Sequence, residues 1–280
     1  VAYNGSNSGL ITGFYRERDG MDLAGLNKVA NAMTQPGKGI LAADESGGTI
    51  KKRFDAIGVE STEENRRDYR ELLFRSKAAM HHRISGVILF DETIRQNAAD
   101  GTPLVKLIEA AGSIPGIKVD KGAKPLPFCP GETITEGLDG LRDRLSEYRN
   151  LGATFCKWRA VIHIGDGIPR HDAINSNAHA LARYAALCQE QDLVPIVEPE
   201  VLMDGDHDIA RCEVVTLDAL NALIAALAQQ DVHLEGILLK PNRVISGSTC
   251  ATQAGVQEVA EATVRGLKRG VPAAVPGIVF

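Results

Sequence analysis

The sequence predicts an α/β fold, a parallel β/α barrel whose C-terminal part lies outside the chain. Three observations predict it. Short apolar, often β-branched runs recur at a mean interval of about 39 residues, the size of one strand-plus-helix unit with its loops. Ionisable residues close at least six of the seven runs, as they would around a single barrel mouth, and no G-x-G-x-x-G or Walker A turn follows the first run to mark an open doubly wound sheet. Eight such units at that interval need more than about 300 residues, whereas the 280-residue chain ends inside its seventh run. A barrel lacking a strand exposes two unpaired edges, so the chain reads as a fragment of a longer protein.

The elements follow in order. The first strand is 39–44 (GILAAD). Ser61, with Glu64 three positions on, forms a capping box that opens a helix with Tyr69, Leu72 and Leu73 as its apolar stripe. Strands follow at 86–91 (GVILFD) and 117–121 (IKVDK). Residues 135–150 read as a helix, with Leu138, Leu141, Leu145 and Tyr148 at helical spacing and Gly152 just past its end. Further strands at 154–159 (TFCKWR), 194–200 (VPIVEPE), 235–240 (EGILLK) and 274–280 (AVPGIVF) alternate with helices at 171–191, 217–230 and 253–269. No linker interrupts this rhythm, so 21–280 reads as one barrel domain behind a flexible arm, 1–20, rich in Gly, Asn and Ser.

Composition narrows the function classes. The chain is 44% hydrophobic and 24% charged, which excludes general disorder. Its net charge of −5, spread without basic blocks, argues against nucleic-acid binding. No uninterrupted apolar run approaches about 18 residues, so no membrane span is expected. The five cysteines, Cys129, Cys156, Cys188, Cys212 and Cys250, include no C-x-x-C and read as reduced thiols. With no secretory signal, a cytoplasmic location is expected.

Side chains alternate along a strand, so residues two apart share a face. Lys157 thus points with Arg159, Glu198 with Ile196 and Glu200, Lys240 with Leu238, Lys121 with Val119, and Asp44 with Ala42. A lone charge at a strand end is usually just solvated. With these faces turned inward, however, three lysines, an arginine and three carboxylates converge at one mouth. That mixture suits covalent amine catalysis. A lysine amine titrates near 10.4 and must fall by roughly 3 pH units, about 4 kcal/mol, to attack at neutral pH. An ammonium about 6 Å away supplies on the order of 2.8 kcal/mol at an effective dielectric near 20. A carboxylate opposes the fall yet is needed for proton transfer. Lys240, after the most apolar of the lysine-bearing runs, is the candidate nucleophile.

Lys121, Arg159 and the loop 44–49 (DESGGT), ahead of Lys51, Lys52 and Arg53, point to anion binding, although an ordinary turn accounts for the glycine pair equally well. The seven histidines show no metal-ligand spacing, and His81–His82 reads as a helix end. Residues 204–208 (DGDHD) lack the distant Glu of a calcium loop and read as a solvated turn. Trp158, opposite in parity to Lys157, packs outside the strands.

At these residues the sequence resembles the class I fructose-bisphosphate aldolases, over nearly the whole chain after the arm. The matching stretches include GKGILAADES (37–46), STEENRRDYR (61–70), GVILFDET (86–93), GIKVDKG (116–122), CKWR (156–159), LVPIVEPE (193–200), DGDHD (204–208) and EGILLKPN (235–242). The resemblance implies a (β/α)8 TIM barrel, usually a homotetramer, that uses no cofactor or metal. It implies reversible cleavage of fructose 1,6-bisphosphate to dihydroxyacetone phosphate and glyceraldehyde 3-phosphate. On the matching positions Lys240 forms the Schiff base, Glu198 is the main acid/base, Lys157 and Asp44 stabilise charge and orient the carbinolamine, and Glu200 supports them. Ser46, Thr49, Arg53, Lys121 and Arg159 fall where the family contacts phosphates or substrate hydroxyls. Arg66 matches a further substrate position, although a helical arginine is as readily structural.

The chain departs from the family at Thr49, where many relatives have Ser. The family's Ser-Gly-Gly phosphate turn, its eighth strand with a phosphate-gripping Arg and its Tyr-ended tail would all follow Phe280. The chain as it stands is therefore expected to bind bisphosphate poorly and to leave its barrel open. Two alternatives stand beside this reading. One is another Schiff-base barrel enzyme, such as a transaldolase. The other is a barrel scaffold for protein partners, for which the family's binding to cytoskeletal proteins is the precedent.

Overall fold

Parallel pairing joins six strands in the order β1 (Gly39–Ala43), β2 (Ile84–Leu89), β3 (Ile114–Lys118), β6 (Phe155–Ile162), β7 (Val194–Val201) and β8 (Leu238–Leu239). A separate antiparallel hairpin, β4 (Ala123–Pro125) with β5 (Thr133–Thr135), follows β3. The computed structural model describes residues 21–280, so the arm expected over 1–20 lies outside the described residues. The helices are α1 (Leu23–Met33), α2 (Gly47–Asp55), α3 (Glu63–Phe74), α4 (Lys77–Arg83), α5 (Asp91–Ile94), α6 (Leu104–Ala110), α7 (Leu141–Asn150), α8 (His171–Gln189), α9 (Ile209–Gln229) and α10 (Val256–Gly270).

The sheet is strongly curved. β1 and β6 are separated by two strands, about 14 Å across a flat sheet at the usual strand spacing, yet Lys157 Nζ lies 3.1 Å from Asp44 Oδ2. Only a wall bent into part of a barrel brings those side chains together on its concave face. The stretch 274–280 does not form a full strand. Its contribution is a parallel bridge from Ile278 to Leu239, with Leu239 N donating to the Gly277 carbonyl at 3.1 Å and Val279 N to that of Leu239 at 2.9 Å.

The inside of the wall is packed at its lower end. Phe155, Ile88, Val194, Ile196 and Leu238 meet Leu26, Ala30 and Met33 of α1, a helix that the strand rhythm did not announce. Asp22 caps this helix, accepting from Gly25 N at 2.8 Å. Gly116 is required there for space, since a Cβ would run into the Phe155 ring. The outer layer is the larger core. Trp158 is fully buried, its ring 5.5 Å from that of Tyr184 on α8, so it packs outside the strands as its parity requires.

Several boundaries differ from the sequence reading. The third strand is β3, three residues earlier than 117–121. After Lys118 the chain leaves the sheet, and Lys121 N donates to the Glu136 carbonyl instead, so Lys121 sits on a loop. Residues 135–140 are not helical. Thr135 belongs to β5, and Gly137 (φ +128°) and Gly140 (φ +66°) hold conformations that a helix cannot continue. Gly152 (φ +103°) does follow the end of α7.

The cap of α3 is Thr62, which accepts from Asn65 N at 3.1 Å, whereas Ser61 turns its carbonyl to Arg66. Of the expected stripe, Leu73 packs against the core and Tyr69 against Phe54, whereas Leu72 is exposed and Arg70 is buried. The 204–208 turn is more than a solvated loop. Asp208 accepts from Arg211 N at 2.7 Å and caps α9, which therefore starts eight residues earlier than expected, and the His207 side chain is buried. His81 and His82 do end a helix. By length and composition α9 could cross a membrane, with a mean hydropathy of 1.4. Its buried residues, among them Val215, Leu220, Leu223 and Leu227, belong to the barrel's helical layer instead.

Candidate functional site

The concave face carries apolar side chains low on the strands and ionisable ones at the C-terminal ends. β6 presents Phe155, then Lys157, then Arg159, and β7 presents Ile196, Glu198 and Glu200. Lys240 follows β8, its N–H donating to the Val197 carbonyl at 2.9 Å, so it continues the inward register of Leu238. Asp44 follows β1 in the same way. All of these ionisable groups line one cavity of about 1070 Å³ at the strands' C-terminal ends, the place where barrel folds carry their sites.

Glu198 is the hub, and its side chain is almost fully buried. Lys240 Nζ donates to its Oε1 at 2.6 Å. Lys157 Nζ lies 3.1 Å from its Oε2 and 3.1 Å from Asp44 Oδ2, donating a hydrogen bond to the latter. Glu198 Oε2 accepts no hydrogen bond among the described residues, which leaves a buried acceptor turned to the cavity's charged layer. Burial alone would lower the pKa of Lys157, but Glu198 and then Asp44 outweigh it, so the group stays an ammonium with its pKa above the usual lysine value. The sequence pointed to neighbouring ammoniums around Lys240 together with a carboxylate for proton transfer. The structure puts that carboxylate directly against it, and Glu198 and Asp44 together balance the two amines Lys240 and Lys157.

The remaining expected residues divide. Arg159 pairs with Glu200, and Ser46 Oγ lies 3.1 Å from Thr49 Oγ1 at the start of α2. Arg53, one turn further on, reaches back to Glu45. All five line the same cavity, as does exposed Lys121 from its loop. Arg66 does not join them. It lines a second cavity of about 630 Å³ behind α2, paired with Glu92 and with the Ser61 carbonyl.

Sequence reasoning missed residues on the β3 side. Lys118, the last residue of β3, lines the main cavity and donates to Asp120 Oδ1 at 2.5 Å, and Asp120 Oδ2 accepts from Arg159 N at 3.3 Å. Arg144 of α7 also lines this side, bracing the loop by donating to the Val119 carbonyl at 2.9 Å. Lys118 was legible as a strand-ending lysine, and only the misplaced strand boundary gave that role to Lys121. Among the described residues, no group of three or more His, Cys, Asp or Glu side chains is placed to hold a metal ion.

A parallel barrel wall with amines and carboxylates interleaved at its C-terminal mouth defines an enzyme of the lysine-dependent barrel class. Comparison with known proteins narrows this. The family described as fructose-bisphosphate aldolase class-I, under the heading Glycolytic, matches residues 25–280. The chain is 61% identical to a probable fructose-bisphosphate aldolase class 1 of Xanthomonas campestris pv. campestris, over 93% of the chain and 78% of that protein. It is 53% identical to fructose-bisphosphate aldolase C of Carassius auratus, over 91% of the chain and 70% of that protein. Among solved structures it resembles the Plasmodium falciparum fructose-bisphosphate aldolase, with a TM-score of 0.89 and 49% identity over 92% of this chain and 74% of that one. The chain belongs to the class I fructose-bisphosphate aldolases. Its fold is that family's TIM barrel, and its activity is the glycolytic lyase reaction, reversible aldol cleavage of fructose 1,6-bisphosphate.

Proposed function

We propose that Lys240 is the amine that carries this reaction and that Glu198 moves its protons. The contact between them, Nζ to Oε1 at 2.6 Å inside a buried charged layer, is the observation that carries the assignment. Lys240 first passes a proton to Glu198, to which it is hydrogen-bonded. Its lone pair then adds to the substrate ketone carbon as the carbonyl π electrons move to oxygen, and a proton passes from the nitrogen to that oxygen to give the neutral carbinolamine. Glu198 returns its proton to the carbinolamine hydroxyl, which leaves as water while the nitrogen lone pair forms the iminium, an electron sink, and Glu198 is again a carboxylate.

Glu198 then accepts the C4 hydroxyl proton, the C3–C4 bonding pair flows toward the iminium, and the product aldehyde departs from an enamine rather than a bare carbanion. Lys157, held as an ammonium between Asp44 and Glu198, stabilises the developing alkoxide, and Asp44 orients the carbinolamine. Glu200 fixes Arg159, which with Lys121, Arg53, Ser46 and Thr49 supplies cations and hydroxyls for the phosphates. Arg66 is proposed to act from behind α2, through Glu92, since it does not line the main cavity.

A homotetrameric assembly and a cytoplasmic location are proposed on family membership. Binding to protein partners, cytoskeletal proteins included, is proposed on the resemblance, and the Plasmodium aldolase was solved in complex with TRAP and a small-molecule inhibitor. Glu198→Gln tests the assignment. Cleavage is expected to fall by about a hundredfold or more, with Schiff-base formation slowed as well, and undiminished cleavage would contradict it.

A further inference from the structure

A ladder of alternating charge runs from the mouth to α3: Arg53, Glu45, Arg70, Glu92, Arg66. Glu45 Oε1 is held by Arg53, whose side chain is 58% exposed over the cavity. Arg70 is wholly buried, an unusual place for a guanidinium. Its Nη2 donates to the Glu45 carbonyl oxygen at 2.8 Å. Its Nε and Nη1 donate to nothing among the described residues, and Glu45 Oε2, also buried, accepts nothing. That oxygen lies 3.9 Å from Arg70 Nη2, about 1 Å beyond a charge-assisted hydrogen bond. Glu92 is an ion-pair neighbour of Arg70 but makes no hydrogen bond to it. Its Oε2 is 3.7 Å from Arg70 Nη1 and already accepts from Arg66 Nε at 2.8 Å.

A buried guanidinium with two unmet donors beside a buried carboxylate oxygen that accepts nothing is costly. Moving the Glu45 carboxylate about 1 Å toward Arg70 would bring Oε2 within reach of the guanidinium and draw Oε1 away from Arg53. We propose that Glu45 is an exchangeable counterion, resting on Arg53 when the mouth holds no anion and passing to Arg70 when a substrate phosphate takes Arg53. Arg70 is then a positioning residue for phosphate binding, acting through Glu45 without touching substrate. This rests on the reading of Arg53 as a phosphate contact.

The test uses inorganic phosphate as the probe, with its dissociation constant measured by calorimetry at fixed ionic strength. Arg70→Met is expected to weaken phosphate binding about tenfold, because Glu45 then has no other partner and stays on Arg53. Glu45→Gln is expected to tighten it, and Arg70→Met added to Glu45→Gln should change nothing further. A merely structural role for Arg70 would weaken binding alike in both backgrounds, and that result overturns the exchange. If Arg70→Met does not fold, Arg70→Lys serves in its place. Lysine can accept Glu45 less well, so a loss of about threefold is expected with Glu45 present and none in the Glu45→Gln background; equal losses in both backgrounds overturn the proposal. Arg53→Ala with unchanged affinity would overturn the exchange together with the phosphate assignment, whereas Arg53→Ala weakening with Arg70→Met silent would overturn the exchange alone.

Discussion

The floor and the mouth of the barrel wall are built on the same strands two residues apart, and they do opposite things. Phe155, Ile196 and Leu238 lie in the apolar floor beneath α1, while Lys157, Glu198 and Lys240 form the charged layer directly above. Parity decides that all six face inward, and height along the strand decides the chemistry. The floor is stabilised by burial, about 1.5–3 kcal/mol for each large side chain. The mouth gains little stability from its charges, since desolvating them offsets their attraction. Stability and function are thus separable here at a spacing of one pleat.

The sharpest way to break that comparison is Lys240→Ala. Activity should fall by more than about a thousandfold, while unfolding stability drops by only about 1–3 kcal/mol, because the buried Glu198 loses its Lys240 donor but keeps its ion pair with Lys157. Assay and denaturant unfolding on one preparation check both halves. Phe155→Ala should do the reverse, costing about 3–5 kcal/mol of stability in urea titration. Its effect on the chemical step of folded enzyme should be small.

Gly116→Ala is the milder floor test. Its Cβ would run into the Phe155 ring, so a loss of about 1–3 kcal/mol is expected, with recovery when Phe155→Leu is added. Asp208→Ala, outside both layers, should cost about 1 kcal/mol by uncapping α9. The smallest effect is alkaline. Because the Lys157 pKa is raised in the folded state, its stabilising share is complete below the usual lysine value of 10.5 and is lost as pH rises through the higher folded value. Lys157→Met should therefore flatten the stability profile above that pH.

Much of the fold was legible because most of the strand-like runs close in ionisable residues, and the inward faces of β6 and β7 followed from alternation alone. What was lost has physical causes. In the sequence the third strand reads as 117–121, yet β3 runs from Ile114 through Pro115 and Gly116, where the Phe155 ring occupies the space a side chain would need. That hid Lys118 and promoted Lys121. Arg70 drew no assignment, because the sequence does not show that Glu45 approaches it from 25 positions away. Arg66 lies behind α2 because its helix turns that face toward Glu92. The pairing of Lys240 with Glu198 was legible only as shared direction, since the 2.6 Å contact depends on the register of β8 against β7.

Which amine attacks the ketone decides the chemistry of the mouth. Borohydride reduction in the presence of dihydroxyacetone phosphate, followed by peptide mass spectrometry, reads this directly. The adduct is expected on Lys240 and to disappear in Lys240→Ala. An adduct on Lys118, Lys121 or Lys157 in the unaltered chain would contradict the assignment.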